Sequence, residues 1–187
     1  MKQITFILLF IFISKTAIAQ QLSDSLEKKP PKHEISIDVL ELVASTKIEL
    51  SYDFLLNSSE TIGLDVEWAK NDSNLFYENL HNQFSFAANY KHFFSKKYAQ
   101  GFYVKAFLKY KTGEAFKAGV PYEDSFDNYH SLNLGFGVGY KLVSKKNFFV
   151  DINTGLERKL LDLKNIGVYE NSKDIVPYIG INIGKRF

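Results

Sequence analysis

From about residue 34 onward the chain alternates apolar and polar positions with a period of two, segment after segment. The clearest run is 46–55, with Ile48, Leu50, Tyr52 and Phe54 on one side and Lys47, Glu49, Ser51 and Asp53 on the other. Successive side chains of a strand point to opposite faces, so this pattern predicts strands with one apolar and one polar face. In the same way Ile62, Leu64, Val66 and Trp68 oppose Gly63, Asp65 and Glu67, and Phe84, Phe86, Ala88, Tyr90 and His92 oppose Ser85, Ala87, Asn89 and Lys91. Phe102, Val104, Ala106, Leu108 and Tyr110 then oppose Tyr103, Lys105, Phe107 and Lys109. Further along, Leu132, Leu134, Phe136, Val138 and Tyr140 face away from Asn133, Gly135, Gly137, Gly139 and Lys141. Phe148, Val150, Ile152, Thr154 and Leu156 do the same against Phe149, Asp151, Asn153, Gly155 and Glu157. A last strand sets Ile175, Ile179, Ile181, Ile183 and Phe187 against Tyr178, Gly180, Asn182 and Gly184, and a first, from Glu34 to about Val43, carries Ile35, Ile37 and Val39. These are eight strands of roughly ten residues, the length of a tilted membrane strand, and no stretch shows a convincing helical period.

The connections alternate in length. Short ones fall at 57–60, 95–100 and 144–147, and long ones at about 70–81, 112–130 and 160–173, with a short outer turn at 44–46. In an up-and-down barrel every second connection lies at the same end, so the long loops collect at one mouth and the short turns at the other. The predicted fold is all-β: an eight-stranded antiparallel up-and-down transmembrane β-barrel.

Alternation alone does not say which face is outside, since a soluble lipocalin-like barrel is the same pattern turned inside out. Four features favour the membrane form. Phe54, Tyr90, Phe94, Phe102, Tyr140, Phe148 and Phe187 fall at strand ends beside the short turns, as an interfacial aromatic girdle would, and Trp68 and Tyr110 begin a second girdle at the other end. The polar faces are rich in small residues suited to a narrow interior. The sequence stops on the aromatic Phe187, a strand end of the kind that barrel-assembly machinery is thought to read. Finally, Met1-Lys2-Gln3, an apolar run over 4–13 and Ala17-Ile18-Ala19 describe a cleavable secretory signal peptide.

That divides the chain into a signal peptide (1–19), a polar, Pro-Pro-containing flexible periplasmic leader (20–33) and an outer-membrane barrel (34–187), located in the outer membrane. Removing Lys2 and Lys15 takes the 23 basic residues to 21, equal to the 21 acidic ones. Near-neutrality leaves no basic footprint for nucleic acid. The absence of cysteine excludes disulfides, thiolate metal sites and a cysteine nucleophile.

The stretch HEISIDVLEL followed by IELSYDFLLNSSETIGLDV resembles a family of small outer-membrane β-barrel proteins from Bacteroidota, OmpA/OmpX-like in strand number. NYKHFFSKKYAQGFYVKAFLKY and LGFGVGYKLVSKKNFFVDINTGLERKL are similar to that family's later hairpins. The resemblance implies fold and location and brings no catalytic residues with it.

Parity sends Lys47, Lys91, Lys105, Lys109 and Lys141, with Glu49, Asp53, Asp65, Glu67, Asp151 and Glu157, into the lumen. Buried charges persist only when paired, so a salt-bridge network plugging the barrel is the expected reading, ahead of a narrow porin-like pore. A lipid acyl-processing enzyme would need a Ser-His-acid set. His130, Ser131 and Glu157 are the candidates, but adjacent strand residues point to opposite faces, and His81 and His92 have no evident partners. Four scattered histidines make no metal site, and the glycines at 135, 137 and 139 precede no helix that could hold a phosphate. No catalytic residue, cofactor or metal is expected. The expected partners are outer-membrane lipid, the assembly machinery through Phe187, and a possible surface ligand at the long loops, where Phe116, Tyr122, Phe126 and Tyr129 lie. The protein is expected to be a monomer.

Overall fold

The structure is a computed structural model and describes residues 30–44, 47–71, 80–116, 126–162 and 175–187. The strands are β1 (His33–Asp38), β2 (Ile48–Leu55), β3 (Glu60–Asn71), β4 (Leu80–Phe93), β5 (Gly101–Phe116), β6 (Phe126–Val143), β7 (Phe148–Asp162) and β8 (Ile175–Arg186). Each pairs antiparallel with its neighbour in sequence, and β1 pairs with β8, so the sheet closes into an up-and-down barrel. This is the architecture that the alternating pattern predicts. Closure leaves no free edge strand, although β1, which ends at Asp38, covers β8 only from Asn182 to Arg186.

The register turns the apolar positions outward. Leu50 is 52% exposed, Phe136 60% and Leu156 56%, whereas Lys141 is 0% and Asp151 2%. A soluble lipid-binding barrel needs the opposite polarity, with an apolar cavity, and that alternative is overturned. Two interior glycines are required by close approach: a Cβ at Gly135 would lie 2.0 Å from the Phe107 ring, and one at Gly139 2.4 Å from the Tyr103 ring. Rings from β5 therefore fill the space that β6 leaves open.

Some boundaries differ from the sequence expectation. The first strand ends at Asp38, not near Val43, and a short helix, α1 (Val39–Ala44), follows it. The Asp38 carboxylate accepts a hydrogen bond from the Glu41 backbone N–H at 2.9 Å, an N-cap with an acid three residues on. The apolar alternation at 35, 37 and 39 runs straight into that cap, so the period-two reading passes over the helix and makes a short turn of the connection. β5 and β6 are also far longer than ten residues, at 16 and 18, and stay paired up to Phe116 opposite Phe126. Much of the expected 112–130 loop, Tyr129 included, is hairpin. His33, placed in the leader, opens β1, and Lys32 and His33 donate backbone hydrogen bonds to the Phe187 carbonyl at 3.2 and 3.0 Å. The signal peptide, most of the leader, Tyr122, and residues 72–79 and 163–174 lie outside the described residues.

Candidate functional site

The interior is a column of charges with two main tiers. At the end with the short turns, three carboxylates meet three cations. Lys141 Nζ lies 2.6 Å from Glu34 and 3.8 Å from both Asp53 and Asp151. Lys91 is 2.6 Å from Asp53 and 4.0 Å from Asp151. Arg186 pairs with Glu34, to which its Nε donates at 2.7 Å. The Tyr103 hydroxyl donates to Asp151 at 2.7 Å. Phe93 and Phe149 present their rings to the Lys141 ammonium at 5.3 and 4.8 Å. Each charged side chain in this tier thus has a partner of opposite sign, which is what a charge removed from water needs, although Asp53 Oδ1 accepts no hydrogen bond.

Beneath this tier the β4–β5 turn folds against the barrel. Arg186 donates to the carbonyls of Tyr98 and Ala99 at 2.9 and 2.7 Å, and the Ala99 N–H donates to the Ser58 carbonyl at 2.7 Å. Ala99, fully buried, sits in the left-handed region at φ 40°, a conformation that costs a non-glycine residue about 1–2 kcal/mol and that these bonds hold in place. Leu55, Phe93, Ala99 and Tyr103 close that end as an apolar layer.

The second tier lies toward the long connections. Asp65 accepts from Lys105 at 3.1 Å and from Asn89 at 3.0 Å. Glu67 meets Lys109 at 3.3 Å and Lys47 at 3.4 Å, with Gln83 and Ser85 donating to it at 3.0 and 3.2 Å. Glu157 meets Lys111 at 2.9 Å and Lys109 at 3.8 Å. The Phe107 ring lies between the Lys105 and Lys109 ammonium groups, 5.2 and 5.8 Å away. A cavity of about 30 Å³ remains beside Asp38, Glu41, Glu49 and Tyr178, room for about one water molecule. Glu41, Glu49 and Glu67 bring carboxylate oxygens within 4.8 Å of one another, yet Lys47 and Lys109 already stand on Glu67, where a cation would have to bind. Burial, reinforced by the charge of Glu67, raises the carboxyl of Glu41 on α1 above its ordinary value, while Lys47 and Lys109 oppose the shift.

All eleven charges assigned to the lumen by parity face the interior, though Glu49 has no ion-pair partner within 4.0 Å among the described residues. Glu34, Lys111 and Arg186 belong to the network and were missed. The signal was there: Arg186 continues the parity of Asn182 and Gly184, Lys111 that of Lys109, and Glu34 that of Ser36.

The nine aromatic positions assigned to girdles lie on the outside. Trp68, Tyr90, Phe94, Phe102, Tyr140 and Phe187 are exposed, while Phe54, Tyr110 and Phe148 are half-buried. Tyr110 stacks on His130, with its hydroxyl 2.8 Å from Nδ1. His130 is thus on the outer surface, whereas Ser131 is fully buried inside and Glu157 is committed to lysines, so the three do not converge. His92, given no partner from sequence, lies 3.9 Å from Glu60.

No family model matches the chain, and no curated protein matches it. Among solved structures it is similar to the N-terminal β-barrel domain of Pseudomonas aeruginosa OprF, with 16% identity and a TM-score of 0.50 over 86% of this chain and 100% of that one. The likeness is one of fold.

Proposed function

We propose that this chain is a monomeric, non-enzymatic integral outer-membrane protein with a plugged polar lumen, serving membrane integrity or surface interaction. The observation that carries the reading is the inverted polarity: apolar side chains cover the outside, while the charges assigned to the lumen, Glu49 apart, form ion pairs with one another inside. A bilayer offers no hydrogen bonds, so a spanning sheet must close on itself and keep its polar groups within. The aromatic ring near the short turns supports the same reading, because amphipathic rings settle at headgroup level. The phrases ELSYDFLL and GFGVGYK point toward the small outer-membrane barrels of Bacteroidota.

The test is heat modifiability after membrane fractionation, combined with conductance in a planar bilayer. The protein is expected in the detergent-extracted outer membrane, migrating faster unboiled than boiled, and electrically silent. Recovery in the soluble fraction would refute membrane insertion, and a steady conductance would refute the plug. An acyl-processing activity would show itself in lipid profiles that change when His130 and Ser131 are replaced; no change is expected.

A further inference from the structure

The outer wall is uneven at one place. At positions 88 and 106 the outward residues are alanines, among neighbours that are mostly Phe, Tyr, Leu or Val. The two are diagonal across β4 and β5, since Ala88 is registered with Leu64 and Leu108, and Ala106 with Tyr90 and Phe136. The missing bulk leaves an apolar groove of about 580 Å³, walled by Tyr52, Tyr90, Leu108 and Leu134. That volume falls in the range of roughly 300–1,000 Å³ typical of clefts that hold small molecules. On a membrane-facing wall the molecule at hand is a lipid, and an acyl chain matches a largely apolar trough.

One end of the groove is polar. The Tyr90 hydroxyl donates to Glu60 Oε1 at 2.9 Å, Asn57 Nδ2 donates to Oε2 at 2.5 Å, and His92 Nδ1 lies 3.9 Å away. Glu60 opens β3 on the outward side, directly after the short β2–β3 turn, level with the aromatic ring at that end of the barrel. Two donors thus fix an outward-facing carboxylate at headgroup depth, beside the groove's own tyrosine. A carboxylate attracts a cationic headgroup and repels an anionic one. It accepts N–H hydrogen bonds from a primary ammonium, which a quaternary ammonium cannot donate.

We infer that this groove with Glu60 forms a binding site for one zwitterionic phospholipid bearing a primary ammonium. Its acyl chain lies over Ala88 and Ala106, and its ammonium rests on Glu60. The site rests on the membrane-barrel reading above.

The full chain would be reconstituted in vesicles of equal parts phosphatidylethanolamine and phosphatidylcholine with identical acyl chains. It would then be extracted gently, and retained lipids counted by native mass spectrometry. The wild type is expected to keep one phosphatidylethanolamine. The groove-filled Ala88→Leu/Ala106→Leu variant should keep at least tenfold less, and Glu60→Gln should keep lipid but lose the preference for ethanolamine over choline. Gel mobility before and after boiling checks that each variant is a closed, inserted barrel. An inserted wild type that retains no more lipid than the groove-filled variant overturns the site, and an unchanged headgroup preference in Glu60→Gln overturns the role of the carboxylate. A wild type that never enters the vesicles refutes the membrane reading itself.

Discussion

Replacing Lys141 with methionine removes one cation that three carboxylates share. Its ammonium lies 2.6 Å from Glu34 and 3.8 Å from Asp53 and Asp151, and none of the four side chains is more than 3% exposed. The tier then holds two cations against three anions in a space that water reaches poorly. At an effective permittivity near 20, charges about 4 Å apart attract by about 4 kcal/mol, and deleting one partner of a buried pair costs about 3–5 kcal/mol. The lost contact of the ammonium with the Phe93 and Phe149 rings is smaller and falls within that range. With a urea slope of about 2 kcal/mol/M, a loss of about 4 kcal/mol lowers the unfolding midpoint by roughly 2 M. The assay is a urea titration of the barrel in vesicles, followed by disappearance of the fast-migrating folded band. Adding Asp151→Asn leaves Glu34–Arg186 and Asp53–Lys91 as balanced pairs while still accepting the Tyr103 hydroxyl, so at least half of the shift should return. A midpoint change below about 0.5 M, or a double variant no better than the single, would show that water screens these charges, and the plugged-lumen reasoning would fail.

Gly139→Ala should lower the same midpoint by an amount corresponding to about 1–3 kcal/mol of overpacking, because its Cβ would meet the Tyr103 ring at 2.4 Å; adding Tyr103→Leu should recover part of the loss. Arg186→Gln releases the Tyr98 and Ala99 carbonyls, hydrogen bonds to a charged group worth about 1.5–3 kcal/mol each. Trypsin should then cut after Lys96 or Lys97 at least tenfold faster (about 1.4 kcal/mol) while the gel shift of the intact barrel is kept. Glu41 holds its proton more tightly folded than unfolded, so its favourable contribution is complete below its unfolded pKa and is lost as pH rises through the folded value. Hydrogen exchange of the α1 amides, corrected for intrinsic rate, should therefore show weaker protection as pH rises, and Glu41→Gln should flatten that dependence.

The barrel was legible because its environment enforces period two along every strand: apolar outside, polar inside, with almost no exceptions between Ile48 and Trp68. Where that enforcement lapses, so does the reading. The outer portions of β5 and β6 carry polar residues at outward positions, such as Thr112 and Glu114, and they look like loop although their backbones stay paired. At Asp38 two patterns overlap, and the D-x-x-E spacing of a capped helix is hidden under an apolar alternation that has not yet ended. The interior was legible only in part. Parity assigns a face to each charge, but partnership depends on register around the closed ring. Nothing local to Lys141 announces that its nearest carboxylate is Glu34, 107 residues away.

The pairing of Glu34 with Arg186 joins positions 152 apart across the β1–β8 seam. Bringing such distant positions together in the unfolded chain has an entropic cost of about 4 kcal/mol from the length-dependent part alone, a cost that falls as the intervening hairpins form. A partial ring has two raw edges, an oily outer surface and unmatched charges within, so no stable half-barrel is available as a stepping stone. The long-range seam therefore makes slow, late closure the expectation of this topology.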